Sequence, residues 1–206
     1  MTRNRCTIIG ITGGIATGKS TLTNLLRKRG YKVIDADSIS KEVTQIGKPS
    51  YYEIIDCFGH EILLEDNSIN RKKLARLIFE DSNLRKKLNN IVHPRVFEEI
   101  QARIHRNCKD NEIIYVEIPL LFETIERANL HGLEFNEIWV VYADYDTQLE
   151  RLMNRDNISE DEAILKIKSQ MDLDEKAKIA NRVIYNNGNT DEMERNLELI
   201  LSNLEP

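Results

Sequence analysis

Gly13-Gly-Ile-Ala-Thr-Gly18-Lys19-Ser20 is the stretch on which the fold of this 206-residue chain turns. It fills the pattern G-x-x-x-x-G-K-[S/T] at every fixed position. Glycine lets backbone N–H groups turn inward around phosphate oxygens. A helix that follows aims its N-terminal N–H groups, and the positive end of its dipole, at the same anion. Lys19 is then expected to reach the β- and γ-phosphates, and the Ser20 hydroxyl to ligate Mg²⁺. At average residue usage a chance match in such a chain is roughly one in a hundred. The flanks supply the required context. Cys6–Ile11 is a β-branched apolar run that reads as a buried strand. Lys19–Arg29 carries Leu22, Leu25 and Leu26 at helical spacing and runs into Gly30, a C-cap glycine. The cradle comprises Gly13, Gly14, Ile15, Ala16, Thr17, Gly18, Lys19, Ser20 and Thr21, and the ligand it implies is ATP with Mg²⁺. The bland alternative is a glycine-rich turn that binds nothing.

Outward from the loop, Tyr31–Ile34 reads as a second strand, and Asp35-Ala-Asp37 opens a helical stretch to about Ile46 that Gly47-Lys-Pro49 breaks. From 50 to 107 there is little strand signal. Leu74, Leu77 and Ile78 mark one helix face, Leu84, Leu88, Ile91 and Val92 a second, Val96, Ile100 and Ile104 a third. His93-Pro94 predicts a break or kink between the last two. Strand patterns return at Glu112–Ile118, Glu137–Tyr142 and Arg182–Tyr185, with helices expected at Asp146–Asn154, Ser159–Gln170 and Glu192–Leu204. This alternation implies a mainly parallel sheet with right-handed crossovers. The expected organisation is one α/β domain, its core at about 1–48 and 110–206, with a helical insertion at about 49–109.

Candidate chemical groups cluster after the strands. Asp35 and Asp37 lie past the second strand, at the sheet edge where open α/β folds bind ligands. In extended chain, two residues apart, their side chains point the same way. One could orient an acceptor hydroxyl and take its proton; helix capping by Asp37 or Ser38 accounts for the spacing equally well. Glu117 ends an apolar strand, where a carboxylate could support Mg²⁺ through water. Arg151 and Arg155, four apart, share a helix face. With the segment to about 175 they could form a lid over the phosphates, or they could be solvated charges. Arg71, Lys72, Lys73 and Arg76, then Arg85, Lys86 and Lys87, are solvated helix charges or a landing site for an anionic acceptor.

Composition sets bounds. Hydrophobic residues at 41% and charged residues at 31% give a globular chain. No apolar run spans a bilayer, and Met1–Arg5 leads into too short an apolar stretch for a signal peptide, so a cytoplasmic protein without a membrane partner is expected. A net charge of −5 argues against non-specific nucleic-acid binding. Cys6, Cys57 and Cys108 are read as reduced thiols. Oligomeric state is not legible.

At larger scale the chain resembles the dephospho-CoA kinases. The likeness runs through Ile11-Thr-Gly-Gly-Ile-Ala-Thr-Gly-Lys-Ser-Thr21, Val33-Ile-Asp-Ala-Asp37 with Glu42-Val43, His93-Pro94, Pro119-Leu-Leu-Phe-Glu123, Gln148-Leu-Glu-Arg151-Leu with Arg155-Asp156, Gln170, and Val183-Ile-Tyr-Asn186-Asn-Gly188. The resemblance implies a three-layer P-loop sandwich with a five-stranded, mainly parallel sheet, a helical substrate subdomain and a lid. It implies transfer of the γ-phosphoryl group of ATP to the ribose 3′-hydroxyl of dephospho-CoA. Asp37 would be the base, Lys19, Arg151 and Arg155 would act on the phosphates, Asn186 and Gly188 would lie near the adenine, and Ser20 and Glu117 would serve the metal. Four positions depart from the family's habit: Ala16 for glycine, Lys41 for arginine, Glu117 for aspartate and Asn181 for aspartate. Alanine at 16 predicts ordinary dihedrals there. The rival readings are a nucleoside or nucleotide kinase and a non-catalytic nucleotide-binding module or switch. Asp56-Cys-Phe-Gly59 fits a switch motif only in form, since it falls in a helical stretch.

Overall fold

The computed structural model describes residues 6–188 and 190–204. The basic N-terminus Met1–Arg5 lies outside them. The element order is β1 (Thr7–Gly13), α1 (Lys19–Lys28), β2 (Lys32–Asp35), α2 (Ala36–Val43), α3 (Pro49–Phe58), a 3₁₀ turn (His60–Ile62), α4 (Arg71–Glu80), α5 (Ser82–Asn107), β3 (Ile113–Glu117), α6 (Leu121–Leu130), β4 (Glu137–Tyr142), α7 (Tyr145–Asp156), α8 (Glu160–Lys168), α9 (Leu173–Ile179), β5 (Arg182–Tyr185) and α10 (Thr190–Ser202). The chain divides into two compact units, one of residues 1–35 and 104–206, the other of residues 36–103.

The first unit is built on a five-stranded sheet in the order β2-β3-β1-β4-β5, with every neighbouring pair parallel. The alternation of side chains sorts the two faces. Ile9 and Ile11 of β1, Tyr115 of β3 and Trp139 and Val141 of β4 pack with Leu22, Leu25 and Leu26 of α1 and Met193, Leu197 and Leu201 of α10. Gly10 turns to the opposite face, where an added Cβ would stand 2.8 Å from Leu121 and 3.0 Å from Phe135. A larger residue would push α6 off the sheet. Parallel strands buried on both faces read as continuous apolar runs, which is why their positions were plain in the sequence.

The second unit is helical. Ile39, Tyr51, Ile54, Phe58, Ile62, Leu74, Val96, Phe97 and Ile100 are among its buried residues. Pro49 opens α3 at its first turn, where the missing N–H is harmless. Pro94 does not end a helix as its sequence context suggested: α5 runs unbroken through it for 26 residues. A proline removes one intrahelical hydrogen bond, and the apolar packing of Val92, Val96 and Phe97 on either side outweighs that loss. Of the basic clusters marked in the sequence, Arg71, Lys73 and Arg76 have partners within this unit. Arg71 donates to Thr44 Oγ1 at 2.8 Å, Lys73 to the Glu61 carbonyl at 2.5 Å, and Arg76 to Glu80 at 3.0 Å.

Candidate active site

The sheet order puts β1 in the middle, so the loop leaving it emerges between the carboxyl ends of β3 and β4. Gly13 sits against β4, and a Cβ there would run into the Val141 carbonyl. Gly18 carries φ +93 in the left-handed region and stands at the N-cap position of α1, which starts at Lys19. The loop between is tied to itself and to its surroundings. Thr17 Oγ1 donates to the Gly14 carbonyl at 3.0 Å, and Lys19 Nζ to the same carbonyl at 2.6 Å. The Ile15 N–H donates to Gln170 Oε1 at 2.8 Å, and Asn186 Nδ2, nearly buried, to the Thr17 carbonyl at 2.7 Å.

Ala16 does not have the ordinary dihedrals its side chain predicted. It lies at φ +61, in the left-handed region. The turn geometry, held from both sides, overrides alanine's own preference at a cost of about 1–3 kcal/mol.

On one side of the loop, Ala16, Gly18, Thr21, Arg151, Asn186, Gly188 and Thr190 line an open cleft of 340 Å³, of the size that takes small ligands. Arg151 helps to build its wall: Nη1 donates to the Asn186 carbonyl at 2.7 Å and Nη2 to the Gly188 carbonyl at 3.1 Å. Arg155, one turn further along α7, is engaged elsewhere. It pairs with Asp156 at 2.8 Å, and Lys166 reaches the same carboxylate at 2.9 Å. The two cations hold the Asp156 carboxyl down at about 2. Only Arg151 of the two arginines therefore lines the cleft.

On the other side stands Glu117, in register with Asp35 of β2 and Ile11 of β1. Burial pushes its carboxyl above the usual carboxylate range. The Thr23 hydrogen bond pulls it back, Asp35 adds to the rise, and Lys19 and Arg27 oppose it. Thr23 Oγ1 donates to Glu117 Oε2 at 2.9 Å and lies 3.3 Å from the Ser20 carbonyl, bridging the two residues expected to serve a metal. Among the described residues no three His, Cys, Asp or Glu side chains gather as a metal cage. Mg²⁺ keeps most of its waters and takes one or two protein oxygens plus substrate phosphates. A serine hydroxyl and a carboxylate are oxygen donors of the right hardness.

Asp37 belongs to the helical unit. It is exposed and is the second residue of α2, so it lies inside the helix and is not its N-cap. The helix begins at Ala36, directly after β2, so Asp35 and Asp37 do not share one side of an extended strand as the spacing suggested.

Three contributors carried no assigned role in the sequence. Thr23 lies one turn beyond Ser20 on α1. Gln170 reaches back to the loop. Lys176, fully buried, places Nζ 2.6 Å from Glu123 Oε1, which also accepts the Met171 N–H at 3.1 Å. Its position three after Leu173, inside the apolar stripe of α9, is the signal that could have exposed it.

A strand, a glycine-rich loop with its lysine and hydroxyl, and an acid on the neighbouring strand define a P-loop nucleotide-binding fold. The profile of the dephospho-CoA kinase family matches residues 7–192. A dephospho-CoA kinase of Carboxydothermus hydrogenoformans is 43% identical over 195 residues, 94% of this chain and 92% of that one. Among solved structures, one from Thermus thermophilus superposes with a TM-score of 0.80 at 32% identity, covering 98% of this chain and 99% of that one. The dephospho-CoA kinase of Campylobacter jejuni gives 0.69 at 29%, covering 95% and 96%. The chain belongs to the dephospho-CoA kinase family.

Proposed function

We propose that this chain phosphorylates dephospho-CoA with ATP, the γ-phosphoryl group passing to the ribose 3′-hydroxyl to give coenzyme A and ADP, and that the residues divide the work as follows. The loop Gly13–Thr21 holds the triphosphate with its backbone N–H groups at the head of α1, and Lys19 balances charge on the group in transfer. Asp37 takes the proton of the 3′-hydroxyl as its oxygen bonds to the γ-phosphorus; the bond from that phosphorus to the β–γ bridging oxygen breaks, and ADP leaves. Mg²⁺, held by Ser20 and supported by Glu117, would supply charge neutralisation at the β- and γ-oxygens. Arg151, Asn186 and Gly188 shape the cleft for the adenosine end. Arg155, exchanging its Asp156 partner for phosphate, serves the lid at about 151–175. Residues 49–109 hold the acceptor, dephospho-CoA.

The observation that carries this reading is the phosphate loop itself, opening onto the 340 Å³ cleft with its lysine at the head of α1. We expect the reaction in the cytoplasm, where ATP is plentiful and thiols stay reduced, as the three free cysteines allow. Among the described residues no helix is long and apolar enough to cross a membrane. A coupled assay of ADP release, run with dephospho-CoA and with a panel of nucleosides, tests the proposal. Turnover should depend on dephospho-CoA; greater activity on a nucleoside overturns it.

A further inference from the structure

Ala16 holds a left-handed conformation that suits glycine far better than alanine. The two amide side chains that grip the loop do so on either side of it. Gln170 accepts from the Ile15 N–H, at the peptide entering the turn, and Asn186 donates to the Thr17 carbonyl, at the peptide leaving it. Asn186 comes from the residue just past the end of β5, the edge strand of the sheet. Gln170 comes from the far end of the lid segment, just after α8 (Glu160–Lys168). The residues beyond Gln170 are fixed as well: the Met171 N–H and the Lys176 ammonium both converge on Glu123 Oε1. Residues 170–176 are thus anchored at one end to the phosphate loop and at the other to the start of α6.

We propose that Gln170 is a positioning residue for nucleotide binding, through which the exit of the lid holds the strained Ile15–Thr17 turn in its phosphate-ready shape. It touches no reacting atom; it acts through the Ile15 N–H. The clamp matters because the turn runs against the preference of Ala16, so its value should shrink when that preference is removed. The inference rests on the loop's being the phosphate cradle.

Gln170→Met keeps side-chain length and removes the acceptor. Gln170 is half-buried in a connecting segment, so the variant should unfold within a few degrees of the parent. Calorimetric titration with ADP should show affinity falling about three- to tenfold, the scale of one lost hydrogen bond. KM for ATP should rise by a similar factor while KM for dephospho-CoA stays put. In an Ala16→Gly background the same change should weaken ADP by clearly less. Unchanged ADP affinity in Gln170→Met overturns the inference, and so does an equal loss in both backgrounds, which would mark a contact indifferent to the strained turn. Absence of ADP binding by the unsubstituted protein would overturn the cradle reading and this inference together.

Discussion

Removing the carboxylate of Glu123 should damage this protein far more than removing its lysine partner. Lys176 is fully buried, and its Nζ stands 2.6 Å from Glu123 Oε1. Nζ makes no aligned hydrogen bond to any described residue, so charge rather than hydrogen-bond geometry holds the pair. At an effective dielectric of about 20, opposite charges at that distance attract by about 6 kcal/mol, much of it offset by the cost of stripping water from the ammonium. Glu123→Gln leaves that cost standing while cancelling the attraction. The expected loss is about 3–5 kcal/mol, a large part of the 5–15 kcal/mol that stabilises an ordinary domain. Lys176→Met fills nearly the same volume and removes both terms, so it should change stability by less than about 1.5 kcal/mol. The double variant should track Lys176→Met alone. Urea unfolding at constant m-value reads all three. In a domain of this size the Glu123→Gln loss should appear as a fall in Tm of roughly 6–20 °C. If Lys176→Met costs as much as Glu123→Gln, or the double variant is worse than either, the pair is a net stabiliser and the reasoning fails.

Other expectations concern the site. Asp37→Asn should keep ATP binding and lose at least roughly 10²-fold in kcat; a near-normal kcat would leave Asp37 only the favourable first-turn position of an acid on a helix. Gly18→Ala forces a side chain into the left-handed region and against Asn186 Nδ2, so it should cost about 2–4 kcal/mol and weaken nucleotide binding; wild-type unfolding would show that the loop adjusts freely. Glu117 has a carboxyl whose value rises on folding, so the folded protein binds more protons than the unfolded chain as pH climbs through the carboxylate range. Its contribution is most favourable below about pH 4 and is lost toward neutrality. Glu117→Gln should therefore raise Tm at pH 7, leave it nearly unchanged at pH 4, and weaken Mg²⁺-dependent turnover. A lower Tm at pH 7 would contradict this.

All five strands were legible because each is a short apolar run with punctuation at both ends, and β4 and β5 fell on their expected bounds. The ends of α1, α7, α8 and α10 shifted by a residue or two, as frayed termini do, while α2 stops three residues short of Ile46, and α3, α6 and α9 had no segment assigned to them in the sequence. Two further errors came where tertiary packing outvotes local preference. His93-Pro94 marks a break or kink to a local reading; there is no break, since neighbouring apolar residues carry α5 through Pro94. Ala16 promised ordinary dihedrals, yet Gln170 and Asn186 hold its neighbours Ile15 and Thr17 from 155 and 169 positions away. The loop between β1 and α1 was legible because its residues are consecutive. The partners of Glu117, Glu123 and Ile15 were not, because each lies across a long loop closure that no spacing rule encodes.

The placing of β1 has a consequence for how the protein is made. Its first ladder partner is Ile113 and its second lies in β4, so the opening strand leaves the ribosome with nothing to pair with until more than a hundred further residues have been synthesised. Contacts so distant in sequence form late and slowly. For that interval the apolar run Thr7–Gly13 is an unpaired edge, open to any other strand it meets, and the loop at its end is among the last parts of the molecule to take shape.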